Sequence, residues 1–149
     1  MNSKNILPPS YLYASLLLMA LLHFLLPLAR LIAWPWTLFG AMPLALGIYL
    51  NLAADAALKQ HHTTVKPFAE SAALVTTGVY HLSRHPMYLG MVLILLGIAI
   101  FMGTAFPLLI AIVFGVVMEF RFVRMEERML QTRFGAAWRL YQAQVRRWI

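Results

Sequence analysis

The chain has 149 residues, 62% hydrophobic and 11% charged, with a formal net charge of +7 and no cysteine. A soluble domain carries about 25% charged residues and hides its apolar side chains in one core, so this composition needs lipid as a cover. The missing cysteines exclude a disulfide framework, a thiolate metal site and a cysteine nucleophile. Basic residues lying between and after apolar runs set membrane topology rather than bind nucleic acid.

Four apolar runs predict membrane helices over about 11–28, 34–52, 87–102 and 105–120. The first follows a polar start and passes through Arg30-Leu-Ile-Ala-Trp-Pro-Trp36 into the second without a small-residue cleavage pattern. It is therefore expected to stay as a helix, not to be removed as a leader. The last two runs are short, and Gly103, Thr104 and Pro107 break them into a tight hairpin. Counting Lys and Arg puts Arg30 alone outside and the other eleven basic residues inside. Both termini and the 53–86 loop are thus expected in the cytosol, at the inner membrane if the cell is bacterial. The expected fold is an all-α membrane protein of about four transmembrane helices with a C-terminal cytosolic helical extension, one domain over 1–149.

Between the second and third runs, Leu74-Val75 is a short apolar piece and Thr76-Thr77-Gly78 a turn. Arg84-His85-Pro86 then lead into the third helix, with proline suited to the first helical turn. Free backbone N–H groups at such a start favour a carboxylate, and Tyr80, Arg84, His85 and Tyr88 crowd the same boundary. His81 and His85 stand four apart, but the residue before proline leaves helical geometry, so no metal site is expected.

The fourth run continues into Glu119–Arg133. Regular helical spacing puts Glu119, Val123, Glu126 and Leu130 on one face and Arg121, Arg124 and Arg128 on the other. The arginines read as headgroup contacts. A carboxylate facing a bundle near the bilayer is a functional candidate, and Glu119 and Glu126 qualify, against the plainer reading of an ion pair with Arg84 or Arg133. The aromatic and basic tail, Phe134–Tyr141 and Val145–Ile149, reads as an amphipathic helix lying on the membrane.

Taken in order, Leu74-Val-Thr-Thr-Gly-Val-Tyr80, Arg84-His-Pro-Met-Tyr-Leu-Gly90, Glu126-Glu127-x-x-Leu130 and Phe134-Gly-x-x-Trp-x-x-Tyr141 resemble the isoprenylcysteine carboxyl methyltransferase family and its phospholipid methyltransferase relatives. The likeness covers roughly residues 60–149. It implies an S-adenosylmethionine-dependent methyltransferase, releasing S-adenosylhomocysteine, with the cofactor in the cytosolic region formed by 60–90 and 119–149. On that resemblance Leu74, Val75 and Tyr80 line the nucleoside. His85, Pro86, Met87 and Tyr88 hold the methionine end or its wall, and Glu126 engages the cofactor's ammonium or ribose. An arginine before the Glu-Glu pair contacts the substrate in the family. Arg121 and Arg124 are the nearest matches, since Phe122 takes the aligned position.

Trp138 replaces the family's usual tyrosine, and Arg146 a proline, so the acceptor stays open among a prenylated cysteine, an aminophospholipid and a small lipophilic thiol or acid. The most similar activity is that of protein-S-isoprenylcysteine carboxyl O-methyltransferase, on a lipophilic, lipid or prenylated acceptor. An amine acceptor must lose a proton, for which Glu119 or Glu126 is the candidate base, whereas a carboxylate or thiolate needs none. Two rival readings are a sterol-reductase-like membrane reductase using NADPH, similar in its His-Pro-x-Tyr start and Gly-x-x-Trp-x-x-Tyr tail, and a non-catalytic membrane adaptor.

Overall fold

The structure is a computed structural model, and it describes residues 7–26, 29–61 and 73–149. Paired prolines begin helix α1 (Pro8–Leu25), where their missing N–H groups leave no bond unmade. A single turn of tight helix, Trp36–Gly40, runs directly into α2 (Ala41–Gln60). The second helix therefore extends two turns past the expected Leu52. Helix α3 (Pro86–Met102) starts on the anticipated proline, and α4 (Ala105–Met118) follows after a two-residue break. A π-helical turn, Glu119–Val123, joins α4 to α5 (Arg124–Gln144), which kinks at Gly135.

Among the described residues, three continuous helices are long and apolar enough to cross a membrane: Pro8–Leu25, Trp36–Gln60 and the run Ala105–Gln144. The apolar α3 is slightly shorter. No strand forms among the described residues. With this apolar content, the chain is an all-α integral membrane protein. Many large apolar side chains of α1, α2 and α4 point outward, among them Leu17, Phe24, Leu46, Leu52, Ile112 and Val116. Such a surface is stable only in hydrocarbon.

The helices are held closest where side chains are smallest. Gly40, which ends the tight turn, and Gly47 of α2 lie against Gly97 and Gly90 of α3. A Cβ on Gly47 would meet the Gly90 carbonyl oxygen at 2.5 Å, and one on Gly40 the Gly97 oxygen at 2.5 Å. In lipid, where apolar burial no longer drives helices together, such close approach supplies the van der Waals contact that does. Met19, Tyr88, Met91, Leu95, Ala99, Ala111, Phe114 and Met118 form the core between α1, α3 and α4.

The two ends of the bundle differ. At one, Gly103 ends α3 in the left-handed region, at φ 68°. Its carbonyl accepts the N–H groups of Leu31 and Ile32, while His23 meets the Thr104 hydroxyl at 2.9 Å. At the other end Tyr11 packs edge-on against Phe122 at 5.4 Å. There the last turns of α2 cover Val75, Val79 and Tyr80. The segment after residue 73 and the C-terminal tail meet at this second end.

Candidate functional site

Three of the chain's five acidic residues, Glu119, Glu126 and Glu127, converge at this polar end. The π turn decides how they face. Its extra residue, marked by the Arg124 N–H bonding the Glu119 carbonyl five residues back, delays the helical rotation by one position. Glu127 therefore takes the face that unbroken α-helix gives to Glu126. The expected stripe of Glu119, Val123, Glu126 and Leu130 is corrected accordingly: the two carboxylates that come together are those of Glu119 and Glu127.

Arg147 joins them. Its guanidinium donates from Nη1 to Glu119 Oε1 at 2.8 Å, from Nη2 to Glu127 Oε2 at 2.6 Å and from Nε to Glu127 Oε1 at 3.1 Å. Trp148 Nε1 donates to Glu119 Oε2 at 3.1 Å, and Arg124 Nε to Glu119 Oε1 at 3.0 Å. Glu127, only 7% exposed, also receives Arg84 Nη2 at 3.0 Å and His85 Nε2 at 3.3 Å. Burial by itself would push the Glu127 carboxyl upward. The hydrogen bonds from His85 and Arg147 and the charge of Arg84 outweigh it and hold the carboxyl near about 2. Arg147 is correspondingly held above its ordinary value, chiefly by its hydrogen bonds to Glu127.

Backbone bonds lock the two stretches together. The Arg84 N–H donates to the Arg146 carbonyl at 3.1 Å, Ser83 Oγ to the Arg147 carbonyl at 3.1 Å, and the Tyr141 hydroxyl to the Tyr80 carbonyl at 2.6 Å. Trp138, Tyr141 and Val145 are buried with Leu74, Leu130 and Phe134 around them. The Arg84 guanidinium lies 5.7 Å from the Trp138 ring centroid. The tail expected to lie on the membrane instead turns its aromatics inward, because the Gly135 kink folds it back over the polar end.

The residues that the resemblance points to fall at this same end in distinct settings. Leu74 is half-buried against Trp138, and Val75 and Tyr80 are buried against Leu50 and Ala54. Burial, and then the nearby Glu126 charge, raise the Tyr80 hydroxyl above its ordinary value. Pro86 is fully buried, Met87 packs toward α2, and Tyr88 stacks on Phe122 at 6.3 Å. His85 is 3% exposed. Its Nδ1 faces Glu126 Oε2 across 3.8 Å. That glutamate oxygen is buried and accepts no hydrogen bond from the described residues. Glu119 is already engaged by three donors. Arg124 pairs with it and covers the Phe120 ring at 4.1 Å. Arg121 is exposed.

Below this cluster a cleft of about 420 Å³ opens between α3 and α4. Leu89, Val92, Ala111, Ile112, Gly115 and Val116 wall it, and Glu119, Phe120 and Trp148 stand at its polar end. It is an apolar trough with one carboxylate at its head. Sequence reasoning missed Glu127, Arg147 and Trp148. The double glutamate was visible, but only the π turn shows which member faces the arginines, and Arg147-Trp148 read as a membrane-surface tail.

A family model described as phospholipid methyltransferase matches residues 36–137 of the chain. No curated protein and no solved structure matches it.

Proposed function

Because the chain belongs to the phospholipid methyltransferase family, we propose that it transfers a methyl group from S-adenosylmethionine to a lipid acceptor at the cytosolic face of its membrane. The observation that carries this reading is the bare carboxylate oxygen of Glu126. A buried acceptor atom left unpaired costs about 1–3 kcal/mol. It is best explained by a cationic or hydroxyl-bearing ligand that completes it, and S-adenosylmethionine offers its ammonium, its ribose and its sulfonium. Arg84 Nε is likewise buried and unpaired, suited to an anionic group of the same ligand. Tyr80 and Tyr88 lie beside Glu126, with Leu74, Val75, Pro86 and Met87 as surrounding wall. These residues fit the cofactor.

When bound, the cofactor supplies an electrophilic methyl group on a sulfonium. The chain's own residues then hold donor and acceptor in line and keep water away, which accounts for most of the rate in a displacement of this kind. The cleft between α3 and α4 suits an acyl chain, with its polar end beside the cofactor region. Arg121, next to Phe120 at the cleft's head, remains the candidate for the acceptor's anionic group, because Arg124 is tied to Glu119. An aminophospholipid is favoured over a prenylcysteine carboxylate, because Arg84, Arg124 and Arg147 are all paired with glutamates.

Binding tests the proposal directly. Glu126→Gln is expected to weaken S-adenosylhomocysteine affinity about tenfold or more, the loss of one charge-assisted hydrogen bond. Thermal midpoint should hold, since the ion pairs of Arg84, Arg124 and Arg147 run to Glu119 and Glu127 rather than to Glu126. Isothermal titration in nanodiscs reads the affinity. Wild-type affinity in the variant, or thermal protection by NADPH instead of S-adenosylhomocysteine, would remove the basis for the assignment.

A further inference from the structure

We propose that Gly115 is the specificity-determining residue of the α3–α4 cleft, and that its bare floor admits one acyl chain of a lipid still resident in its leaflet. The inference rests on the methyltransferase reading above, and adds how the acceptor's chain is chosen and from where it enters. The α4 side of the cleft is built from two rows. Ala111, Gly115 and Glu119 stand four apart and form one line along the helix; Ile112, Val116 and Phe120, one position on, form the next. The first line is the floor, where Ala111 is buried and Gly115 has no side chain. The second is the outer rim, and its three members are 64%, 51% and 62% exposed. Leu89 and Val92 of α3 make the facing wall. The cleft is thus a row of small residues between two ridges.

The rim indicates the occupant. Ile112 and Val116 belong to an apolar membrane helix, so the mouth of the cleft opens sideways into hydrocarbon and not toward water. A peptide entering there would bring backbone groups that hydrocarbon leaves unsatisfied. A lipid chain brings none. From Glu119 to Ala111 is eight residues of helix, about 12 Å. One leaflet's share of a ~30 Å hydrocarbon core is about 15 Å. The trough therefore runs from the polar boundary to near the midplane, which is the course of one acyl chain in that leaflet. Trp148, bonded to Glu119 at 3.1 Å, closes its head. A chain that slides in sideways thus stops beside the polar cluster without leaving the membrane.

Selection in such a site works by exclusion. A lipid tail that moves from bilayer to trough exchanges one hydrocarbon for another, so apolar burial gives it no preference. Shape decides instead, and Gly115 sets the shape. A Cβ on Gly115 would meet nothing nearer than a Val92 methyl at 3.6 Å, an ordinary contact, whereas one on Gly47 would strike the Gly90 carbonyl oxygen at 2.5 Å. Gly115 therefore does not serve helix packing as Gly47 does. Its backbone is helical, a setting that disfavours glycine. What the missing side chain provides is room along the floor of the cleft.

Gly115→Leu tests this in mixed micelles of a diacyl aminophospholipid with methyl-labelled S-adenosylmethionine. KM for the lipid, taken as a mole fraction, should rise about tenfold or more, the effect of overfilling a fitted site. The turnover number should hold, as it does when binding common to ground and transition states is lost. S-adenosylhomocysteine affinity and thermal midpoint should also hold, because Gly115 stands about three helical turns from Glu126. Gly115→Ala should raise KM less. Val113→Leu, on the exposed side of α4 outside the cleft, should leave KM alone. If Gly115→Leu does not fold, a graded rise through Gly115→Ala and Gly115→Val decides. Unchanged KM in the Gly115 variants, or an equal rise in Val113→Leu, overturns the proposal and leaves the methyltransferase reading standing. A loss of S-adenosylhomocysteine affinity or midpoint in step with KM overturns it too, as does a changed oligomeric state with KM intact, the sign of a second copy in the cleft. A wild type that labels no lipid at all strikes the proposed function itself.

Discussion

Glu127 concentrates more electrostatic work than any other side chain in the described structure. It accepts hydrogen bonds from Arg147 and His85 and forms an ion pair with Arg84, and its carboxyl sits at about 2 rather than the ordinary 4.5. A carboxyl depressed in the folded state adds stability that is fully present above its unfolded value, near 4.5. That stability fades as pH falls and is gone once the folded value, about 2, has been passed. Glu127→Gln should therefore flatten the acid limb of the stability profile between those values. At neutral pH it should cost about 3–5 kcal/mol, the range for removing one partner from a buried ion pair. Thermal melts across that pH range in detergent check both expectations. Equal acid sensitivity in variant and wild type would show that Glu127 does not carry it. In the sequence regular helical spacing favours Glu126 over Glu127 for the inward face, and what reverses them is one residue of helical phase.

The helices make a different kind of claim. Gly40 and Gly47, and Gly90 and Gly97, are each seven apart inside apolar runs, a spacing that repeats one face of a helix. The pattern is readable in the sequence; which two faces meet is not. Gly47→Ala would press a methyl group against the Gly90 carbonyl and Ile94. It should destabilise α2–α3 packing by about 1–3 kcal/mol, as overpacking does. Gly115→Ala is the control, since its Cβ would meet only Val92 side-chain atoms at 3.6 Å or more and should change stability little. Gly103→Ala combines two faults, a left-handed backbone and contact with the Ile32 carbonyl. It should cost at least about 1–2 kcal/mol. Chemical denaturation in mixed micelles ranks the three, and a Gly115 variant as damaged as Gly47→Ala would contradict the close-packing account. The π turn had no counterpart in the predicted helices, because nothing in Glu-Phe-Arg-Phe-Val signals an inserted residue.

Taken whole, the bundle has one plain end and one polar end, and the distribution of Lys and Arg argues that the polar end faces the cytosol. The absence of cysteine makes this simple to check. Single cysteines at His61 and Ile149 should be shielded from an impermeant maleimide in intact cells, and one at Arg30 should be labelled. Labelling at Ile149 would invert the orientation and move the site to the other face. The tail also belongs to this scale. Removing Arg147-Trp148-Ile149 would leave Glu119 and Glu127 without their shared donor. It should lower the thermal midpoint by several degrees and loosen the cleft's polar end, as read by the melt and by acceptor KM.

By itself, the amino-acid order determined membrane residence, four apolar helices and the expectation that the 60–90 and 119–149 regions build one site. Those conclusions depend on hydropathy, proline and glycine placement and ordered motifs, all of which are local along the chain. Only the tertiary structure decided that Glu127 rather than Glu126 binds Arg84 and Arg147, that Arg147 and Trp148 close over Glu119, and that His85 Nδ1 confronts an unpaired carboxylate oxygen. Each of these depends on helical phase or on a contact between residues far apart in sequence, and neither is written in the neighbours of the residue concerned.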